Sequence, residues 1–537
     1  MILGVALAIG LWRLGFGLDL GIAFTDERLV WGRYLAIFVP LELGSFSRPP
    51  GGGALLYPTL VGYLAGAVTW VTHKLGLIEN PRIDVFDAFL VARMMAMGFA
   101  VATVALVGFF ARWIDSVRAG VFAAALMAVV PIHVLQAHYL STDPVLCFFT
   151  TLALALSYLL AREGRPGVAF LAGACVGLAF AAKYTGVLAG IPVAYAVVEH
   201  VVAKRRAPVR TFASLGLVAL GGCLLGAVAG CPLCFLRYRD VLQVLGFYSG
   251  LTSYANVHFW NVELVPSLGW YGRPLFYQLV AALPFSLGIG TYLASLGGIA
   301  WALRRRDAGD RLLVVTVAAY LFFAVLSRSL LPRYLMPILP PMVLLAGRGL
   351  AALRPPSLRL AIFALVWTSS ALVAVTQVNR LSYDQQMAVA DWLKRATAPD
   401  AADQAAGAAR PTVAVPQVMW SYVGLVRPFQ LAGVQPVLVE RGKWLDDRPD
   451  YFVMADLVAD WIHSRPEAES LVADLTALES PDSGYAPVAH WTSRYFLQGL
   501  YTALDPLFAA DYPQGEIGFT IYGRADRDGR REQKEPS

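Results

Sequence analysis

Apolar runs of about twenty residues recur along the chain up to residue 379, and short polar connections separate them. A helix of that length crosses the roughly 30 Å hydrocarbon core of a bilayer. Each run is therefore predicted to be a transmembrane helix. Eleven spans are predicted, at 1–20, 86–111, 118–136, 143–161, 166–184, 186–204, 211–231, 276–302, 309–329, 333–351 and 357–378.

Lys and Arg residues gather in every second connection between these runs. Positive charge is retained on the cytoplasmic side of a membrane, so these connections are predicted to be cytoplasmic. The alternate connections and everything after residue 379 then face outward. The basic groups are Arg112/Arg118, Arg162/Arg165, Lys204–Arg206 with Arg210, Arg304–Arg306 with Arg311, and Arg348/Arg354/Arg359.

This alternation decides how the first outer loop is interpreted. The span 86–111 ends at a basic connection, so residues 21–85 lie outside if the first span leaves the cytoplasm. The runs 29–43 and 53–75 are then predicted to be interfacial helices. The orientation rule is a bias, and an outward N-terminus with 53–75 as a true span stays open as the alternative.

The start of the chain has an unusual first run, which is short and contains Arg13. Neither a basic leader region nor a small-residue cleavage site of a signal peptide is visible there. We expect either that Arg13 faces a polar interior or that some residues precede this start.

Composition agrees with a membrane protein, because 57% of the residues are hydrophobic and 15% are charged. Soluble domains carry about 25% charged residues. The net charge of +6 does not form a basic face with interleaved aromatics, so nucleic acid is not an expected partner. Cys231-Pro-Leu-Cys234 has redox spacing, but it ends a span instead of following a βαβ pattern, so a functional disulfide is disfavoured.

After residue 379 the chain becomes richer in charge and proline. Residues 380–523 are predicted to form an extracytoplasmic mixed α/β domain, and the charged tail 524–537 is predicted to be disordered. The helices are expected at 385–396 and 467–478, and the strands at 412–415, 436–439, 451–454 and 518–522.

Two acidic positions at span ends could carry chemistry. Asp26, followed by Glu27, comes directly after the first span, and Asp143 begins the fourth. By the charge alternation both face outward, where a carboxylate can act as a general base or hold a metal. The alternative is ordinary helix capping, by Thr25 or Asp26 at the first site and by Thr142 or Asp143 at the second.

Cationic and aromatic groups are predicted on the same outer face. Such groups suit a lipid phosphate, although Trp, Tyr and Lys also anchor spans at membrane interfaces. They are Arg48, His138, Lys183-Tyr184, Arg333-Tyr334, and His258 in a loop that also contains Tyr254, Trp260, Glu263 and Arg273. A P-loop and a nucleophile elbow are both missing from the sequence, which argues against an ATP-driven pump.

The order of these motifs resembles the GT-C glycosyltransferases, and in particular glycosyltransferase family 39 and the aminoarabinose-transferase-like group, which includes protein O-mannosyltransferases. The likeness covers roughly residues 10–350. The segments that carry the likeness are Asp26-Glu27, Thr142-Asp-Pro144, Gly177-Leu-Ala-Phe-Ala-Ala-Lys-Tyr-Thr-Gly186 and Arg333-Tyr-Leu-Met-Pro-Ile-Leu-Pro340.

The resemblance implies a GT-C helical bundle that moves a sugar from a polyprenyl-phosphate donor to a hydroxyl of a protein, glycan or lipid. By this resemblance Asp26 would be the base, Asp143 would organise the site, and Arg48 would contact the donor phosphate. Glu27, His138, Lys183, Tyr184, His258, Arg333 and Tyr334 are the remaining predicted substrate-binding residues.

The sequence departs from related lipid A enzymes at one motif. They carry Glu-Lys before the proline where this chain has Ser47-Arg48. A metal role for that Glu is therefore in doubt, and a divalent metal stays an open cofactor.

Two other classes of function remain as alternatives. A lipid or solute transporter would place its charges near the membrane midplane, on broken and repeated helices. A scaffold would need no chemistry from Asp26. The expected location is the plasma membrane, with the site and the C-terminal domain extracytoplasmic.

Overall fold

The computed structural model describes residues 1–15, 58–79, 85–204, 208–239, 241–242, 275, 278–326, 332–379, 384–398, 411–416, 426–446, 448–463, 469–491 and 518–525. Within them the chain forms two compact units, a helical unit that ends at Val378 and a C-terminal unit that begins at Asn379.

The helical unit is built from fifteen described α-helices, joined in places by short 3₁₀ or π segments. They are α1 (Ile2–Leu11), α2 (Leu60–Lys74), α3 (Val85–Ile114), α4 (Val117–Met127), α5 (Pro131–Gln136), α6 (Asp143–Glu163), α7 (Pro166–Ala182), α8 (Gly190–Lys204), α9 (Pro208–Gly230), α10 (Pro232–Leu236), α11 (Leu283–Leu287), α12 (Ile289–Arg305), α13 (Ala308–Leu326), α14 (Leu339–Ala352) and α15 (Pro356–Asn379).

Six stretches of helix in the described chain are long and apolar enough to cross a membrane, and a bent pair would make seven. The protein is therefore a multi-pass membrane protein of mainly helical fold, as the apolar runs predict. The count of eleven spans stays a prediction. The six stretches are Asp87–Ile114, Asp143–Glu163, Tyr184–Ala203, Val209–Gly230, Pro332–Ala352 and Pro356–Val378.

Two predicted spans are not continuous helices. The run 118–136 is divided between α4 and α5, because Pro131 begins a new helix and cannot continue the preceding one. The run 276–302 bends by 114° between Gln278–Leu287 and Ile289–Arg305. Gly288 lies at that bend with a positive φ of 78°, a conformation that glycine adopts readily.

The helix α2 lies in the run that was predicted to be interfacial. Its 15 residues extend about 22 Å at 1.5 Å per residue, which is less than a bilayer core. Leu60, Val61, Ala65 and Thr69 are buried on one side, and the helix packs against α3 and α7. The other predicted interfacial helix, 29–43, lies outside the described residues.

Close contact between α7 and α9 depends on glycine. A Cβ on Gly173 or Gly177 of α7 would lie 1.9 or 2.1 Å from a carbonyl oxygen of α9. Gly222 and Gly226 face α7 in the same way, at 2.1 and 2.3 Å. Small residues let membrane helices approach closely and gain van der Waals contact, which is how this pair is joined.

Charged side chains form a network where α12 ends and α13 begins. Arg348, which is fully buried, contacts Asp310 at 2.5 Å and Asp307 at 2.8 Å. Arg305 contacts Asp307 and Asp115 at 2.8 and 2.9 Å. Burial would raise the pKa of Asp307, but the Asp310 N–H and the Arg348 guanidinium outweigh that effect and hold it below its ordinary value.

This charge network marks one end of the bundle. A Cβ on Gly309, at the start of α13, would lie 3.5 Å from the ring of Tyr158 near the end of α6. Asp143 is at the opposite end of α6. The two ends of the helical unit therefore carry two separate sets of buried charges.

The structure corrects the expectation for the CxxC segment, because Cys231 and Cys234 form a disulfide with their Cα atoms 5.4 Å apart. The physical reason is a sharp turn between α9 and α10. The Cys234 N–H donates to the Cys231 carbonyl over 3.1 Å, so a single turn brings the two sulfurs together. The βαβ context that the sequence argument required is not needed for this pairing.

The C-terminal unit contains helices and a sheet, as predicted for a mixed α/β domain, and its described residues form five strands where four were predicted. The strands are β1 (Val413–Pro416), β2 (Pro436–Val439), β3 (Tyr451–Ala455), β4 (Tyr485–Trp491) and β5 (Phe519–Arg524), and the helices are α16 (Asp384–Ala396), α17 (Val426–Ala432), α18 (Asp456–His463) and α19 (Glu469–Glu479). The order is β2-β1-β3-β5-β4; β1 runs parallel to β2 and β3, and β5 is antiparallel to β3 and β4.

The core of this unit is apolar, with Trp444, Phe429, Phe452 and Phe519 almost fully buried. Strand β4 was not predicted, because Pro487 interrupts its pattern. The structure accommodates it at the edge of the sheet, beside a register shift between Pro487 and Ala489.

Two adjacent glycines of α9 provide a matched test of the α7–α9 contact. We expect Gly222→Ala to destabilise the protein by about 1–3 kcal/mol, because its Cβ meets the Phe170 carbonyl. Gly221→Ala should be neutral or stabilising, since nothing lies within 4 Å of that position and Ala favours helix. Thermal unfolding of the purified protein in detergent measures both. Equal effects of the two variants would contradict this account of the packing.

Candidate functional site

Asp143 lies at the first position of α6, and Pro144 follows it in the first turn. Its residue exposure is 3%. Thr142 occupies the N-cap but makes no side-chain capping bond, so the capping role proposed for Thr142 is not seen. The Asp143 carboxylate instead reaches a cation on the next helix.

That cation is Lys183, which ends α7 in an extended conformation (φ −155°, ψ 137°). The chain turns there from α7 into the 3₁₀ helix Tyr184–Ala189. The Lys183 Nζ lies 2.8 Å from Asp143 Oδ1, and the two side chains are 8% and 4% exposed. Forty residues of sequence separate the partners, so the pair joins the start of α6 to the end of α7.

Tyr334 completes the environment of this ion pair. The Lys183 Nζ lies 4.6 Å from the centre of its ring, which is cation–π distance. Tyr334 belongs to the 3₁₀ helix Pro332–Ile338. The Cys147 thiol of α6 contacts the Met336 carbonyl of the same segment at 3.5 Å. The segment is thereby fixed against the start of α6.

Arg333 adds a second buried cation to this end. Its exposure is 7%, and its guanidinium carbon lies 6.0 Å from the Tyr334 ring. The structure therefore brings together four of the predicted residues, Asp143, Lys183, Arg333 and Tyr334. The Lys183 and Arg333 cations both lie at the Tyr334 ring, and cations held in place suit an anionic ligand.

His138 is fully buried close to the start of α6, but both of its ring nitrogens face backbone carbonyls. Nδ1 lies 2.7 Å from the Val134 oxygen and Nε2 lies 2.9 Å from the Trp12 oxygen. This geometry holds the end of α1 in place. The predicted role of His138 in substrate binding stays a prediction.

Tyr184 packs its ring at 5.5 Å against Phe180 in an edge-to-face contact, directly after Lys183. Its role in substrate binding also stays a prediction. The other predicted residues, Asp26, Glu27, Arg48 and His258, lie outside the described residues.

Arg93 is a candidate that the sequence argument missed. It lies in the span α3 with no exposed surface, and its Nη1 donates to the Leu14 carbonyl over 2.9 Å. Together with His138 it fixes the chain just after α1, twelve residues before Asp26. A single Arg inside an apolar run is a signal of function that could have identified it.

No group of three or more His, Cys, Asp or Glu side chains that could hold a metal occurs among the described residues. Asp26 and Glu27, the predicted acidic pair, lie outside those residues.

Residues 54–230 match the family model described as dolichyl-phosphate-mannose-protein mannosyltransferase. This segment contains His138, Asp143, Lys183 and Tyr184, whereas Arg333 and Tyr334 lie beyond it. The match confirms over these residues the resemblance inferred from the order of motifs. Among curated protein sequences, none matches the chain.

Solved structures with similar architecture include two of ArnT from Cupriavidus metallidurans. The apo form is 16% identical with a TM-score of 0.49, and the form bound to undecaprenyl phosphate is 18% identical with a TM-score of 0.48; each match covers 97% of both chains. Archaeal oligosaccharyltransferase AglB from Archaeoglobus fulgidus is 13% identical with a TM-score of 0.47, over 92% of this chain and 74% of that one. Likenesses at this level carry no assignment of residues or substrate.

The structural role of the ion pair can be tested by removing one charge or both. Asp143→Asn leaves the Lys183 ammonium buried without its carboxylate, and we expect a loss of about 3–5 kcal/mol in stability. The double variant Asp143→Leu/Lys183→Met removes both charges and should recover most of that loss. Thermal unfolding in detergent measures this. A single variant as stable as wild type would show that the pair does not constrain the fold.

Proposed function

We propose that the protein is an inverting glycosyltransferase that moves a sugar from a polyprenyl-phosphate donor to an acceptor hydroxyl. The observation that carries this proposal is the buried Lys183–Asp143 pair beside Tyr334 and Arg333. Both members of the pair lie inside the segment that matches the mannosyltransferase family model. The donor class and a protein, glycan or lipid acceptor come from that family likeness.

The chemistry of the site supports a phosphate ligand. An ammonium has three N–H donors, and Asp143 takes one of those of Lys183. Because the pair is almost fully buried, its ammonium is held in one position instead of moving freely in water. A cation fixed before the substrate arrives stabilises developing negative charge without reorganisation. We assign Lys183 and Arg333 to the donor phosphate and Asp143 to positioning Lys183.

In the proposed reaction, the acceptor oxygen attacks the anomeric carbon of the donor sugar. The bond between that carbon and the phosphate oxygen breaks, and its electron pair stays on the lipid phosphate. The acceptor proton passes to the carboxylate of Asp26, which is the proposed base. Arg48 is proposed to contact the same phosphate, and Glu27 and His258 to bind substrate nearby.

We further propose that this site faces the extracytoplasmic side of the plasma membrane. The alternation of Lys and Arg clusters supports this orientation. The Cys231–Cys234 disulfide adds an independent argument, since disulfides persist in oxidising compartments. It begins the connection 232–275, which the same alternation orients outward.

The catalytic assignment is tested in membranes that contain the protein, with a panel of radiolabelled polyprenyl-phosphate sugars. We expect one donor to be consumed, and Asp26→Asn to lower the transfer rate at least about 100-fold, the range for loss of a general base. Asp391→Asn is the matched control, because Asp391 is an exposed residue of α16 in the C-terminal unit.

Two results would contradict the proposal. If none of the labelled sugars moves while the protein is folded, the transferase activity is wrong. If sugar moves equally well in Asp26→Asn, the activity stands but another residue is the base.

A further inference from the structure

A groove runs along the outside of α3 and α6. It lies at the ends of these helices that carry Arg112 and Arg162, away from Asp143. Its volume is about 530 Å³, within the range of small-molecule sites. Phe110 and Ala155 form its buried floor. The complete lining is Leu106, Phe109, Phe110, Arg112, Trp113, Leu152, Ala155 and Leu156.

The groove is apolar along most of its length and ends in aromatic and charged groups. Leu106 and Arg112 are about 9 Å apart along the helix axis at 1.5 Å per residue. Trp113 and Tyr158 meet edge to face at 5.8 Å. Tryptophan and tyrosine mark the level of lipid headgroups in membrane proteins. The shape is therefore that of an acyl chain leading to a headgroup.

Arg112 provides the charge at that end. Arg305 and Arg348, at the same end of the bundle, contact carboxylates. Among the described residues, Arg112 is exposed and has no hydrogen-bond or ion-pair partner. Arg162 lies at the aromatic end of the groove, with its guanidinium carbon 5.7 Å from the ring of Tyr158, which in turn contacts Trp113 of the lining. One cation in the lining and a second at its aromatic end favour an anion attached to a lipid tail.

We propose that this groove binds one phospholipid with a net negative headgroup, from the leaflet at the basic end of the bundle. One acyl chain lies between α3 and α6, and the headgroup phosphate contacts Arg112. A zwitterionic lipid is disfavoured, because its own ammonium would lie beside two guanidinium groups. Basic pockets between transmembrane helices on the cytoplasmic side bind anionic lipids in this manner.

The test is native mass spectrometry of the purified full-length protein, delipidated and then titrated with phosphatidylglycerol or phosphatidylcholine. We expect retained phosphatidylglycerol at concentrations where phosphatidylcholine dissociates. Arg112→Gln should weaken phosphatidylglycerol binding about fivefold, the effect of one basic residue at a membrane surface. Arg118→Gln is the matched control, since Arg118 is exposed at the same end but does not line the groove.

A second variant tests the apolar part of the site. Ala155→Leu places extra carbon atoms on the groove floor and should also reduce retention of phosphatidylglycerol. Size-exclusion profiles and unfolding temperatures confirm that each variant is folded. Equal retention of the two lipids by wild type, or equal losses in Arg112→Gln and Arg118→Gln, would overturn the proposal.

Discussion

The candidate site depends on one constraint, which is that a buried Lys183 ammonium must be neutralised. Leaving it alone in a low-dielectric interior would cost several kcal/mol. The Asp143 carboxylate neutralises the ammonium from 2.8 Å away. This contact requires the start of α6 and the end of α7 to lie side by side. The Tyr334 ring then packs over the same ammonium and brings the segment Pro332–Ile338 to the pair. Three distant parts of the sequence are thereby joined.

The same physical requirement is met differently at the other end of the bundle. There Arg348 and Arg305 share three carboxylates, Asp115, Asp307 and Asp310. Both guanidinium groups of that network are thus in direct contact with carboxylates. At the Asp143 end, the buried Lys183 ammonium is held by the Asp143 carboxylate and lies against the Tyr334 ring. A cation fixed in this way is the physical basis for assigning the anionic donor to the Asp143 end.

Several features were predictable from the sequence because they depend on local patterns. The length of the apolar runs predicted membrane-spanning helices, and alternating or apolar runs predicted most strands of the C-terminal sheet. Asp143 and Lys183 were assigned to one face from charge alternation alone. Their direct contact was not predictable, since it depends on how α6 and α7 pack. The disulfide and the bend at Gly288 were missed for similar reasons, because each depends on a turn between elements.

Arg93 shows a different limit of the sequence argument. Its position inside an apolar run was visible, but its partner, the Leu14 carbonyl, was not. Every residue has a backbone carbonyl, so the sequence does not show which one a buried arginine binds. In the structure Arg93 binds the Leu14 carbonyl and His138 binds the Trp12 carbonyl, so both residues hold the chain directly after α1.

The most direct measurement is an electron cryomicroscopy map of the protein with a bound polyprenyl phosphate. The phosphate density should lie within hydrogen-bond distance of Lys183 or Arg333, at the end of α6 that begins with Asp143. Density for the phosphate beside Arg305 and Arg348, or a Lys183 ammonium separated from it by the protein, would contradict the central claim.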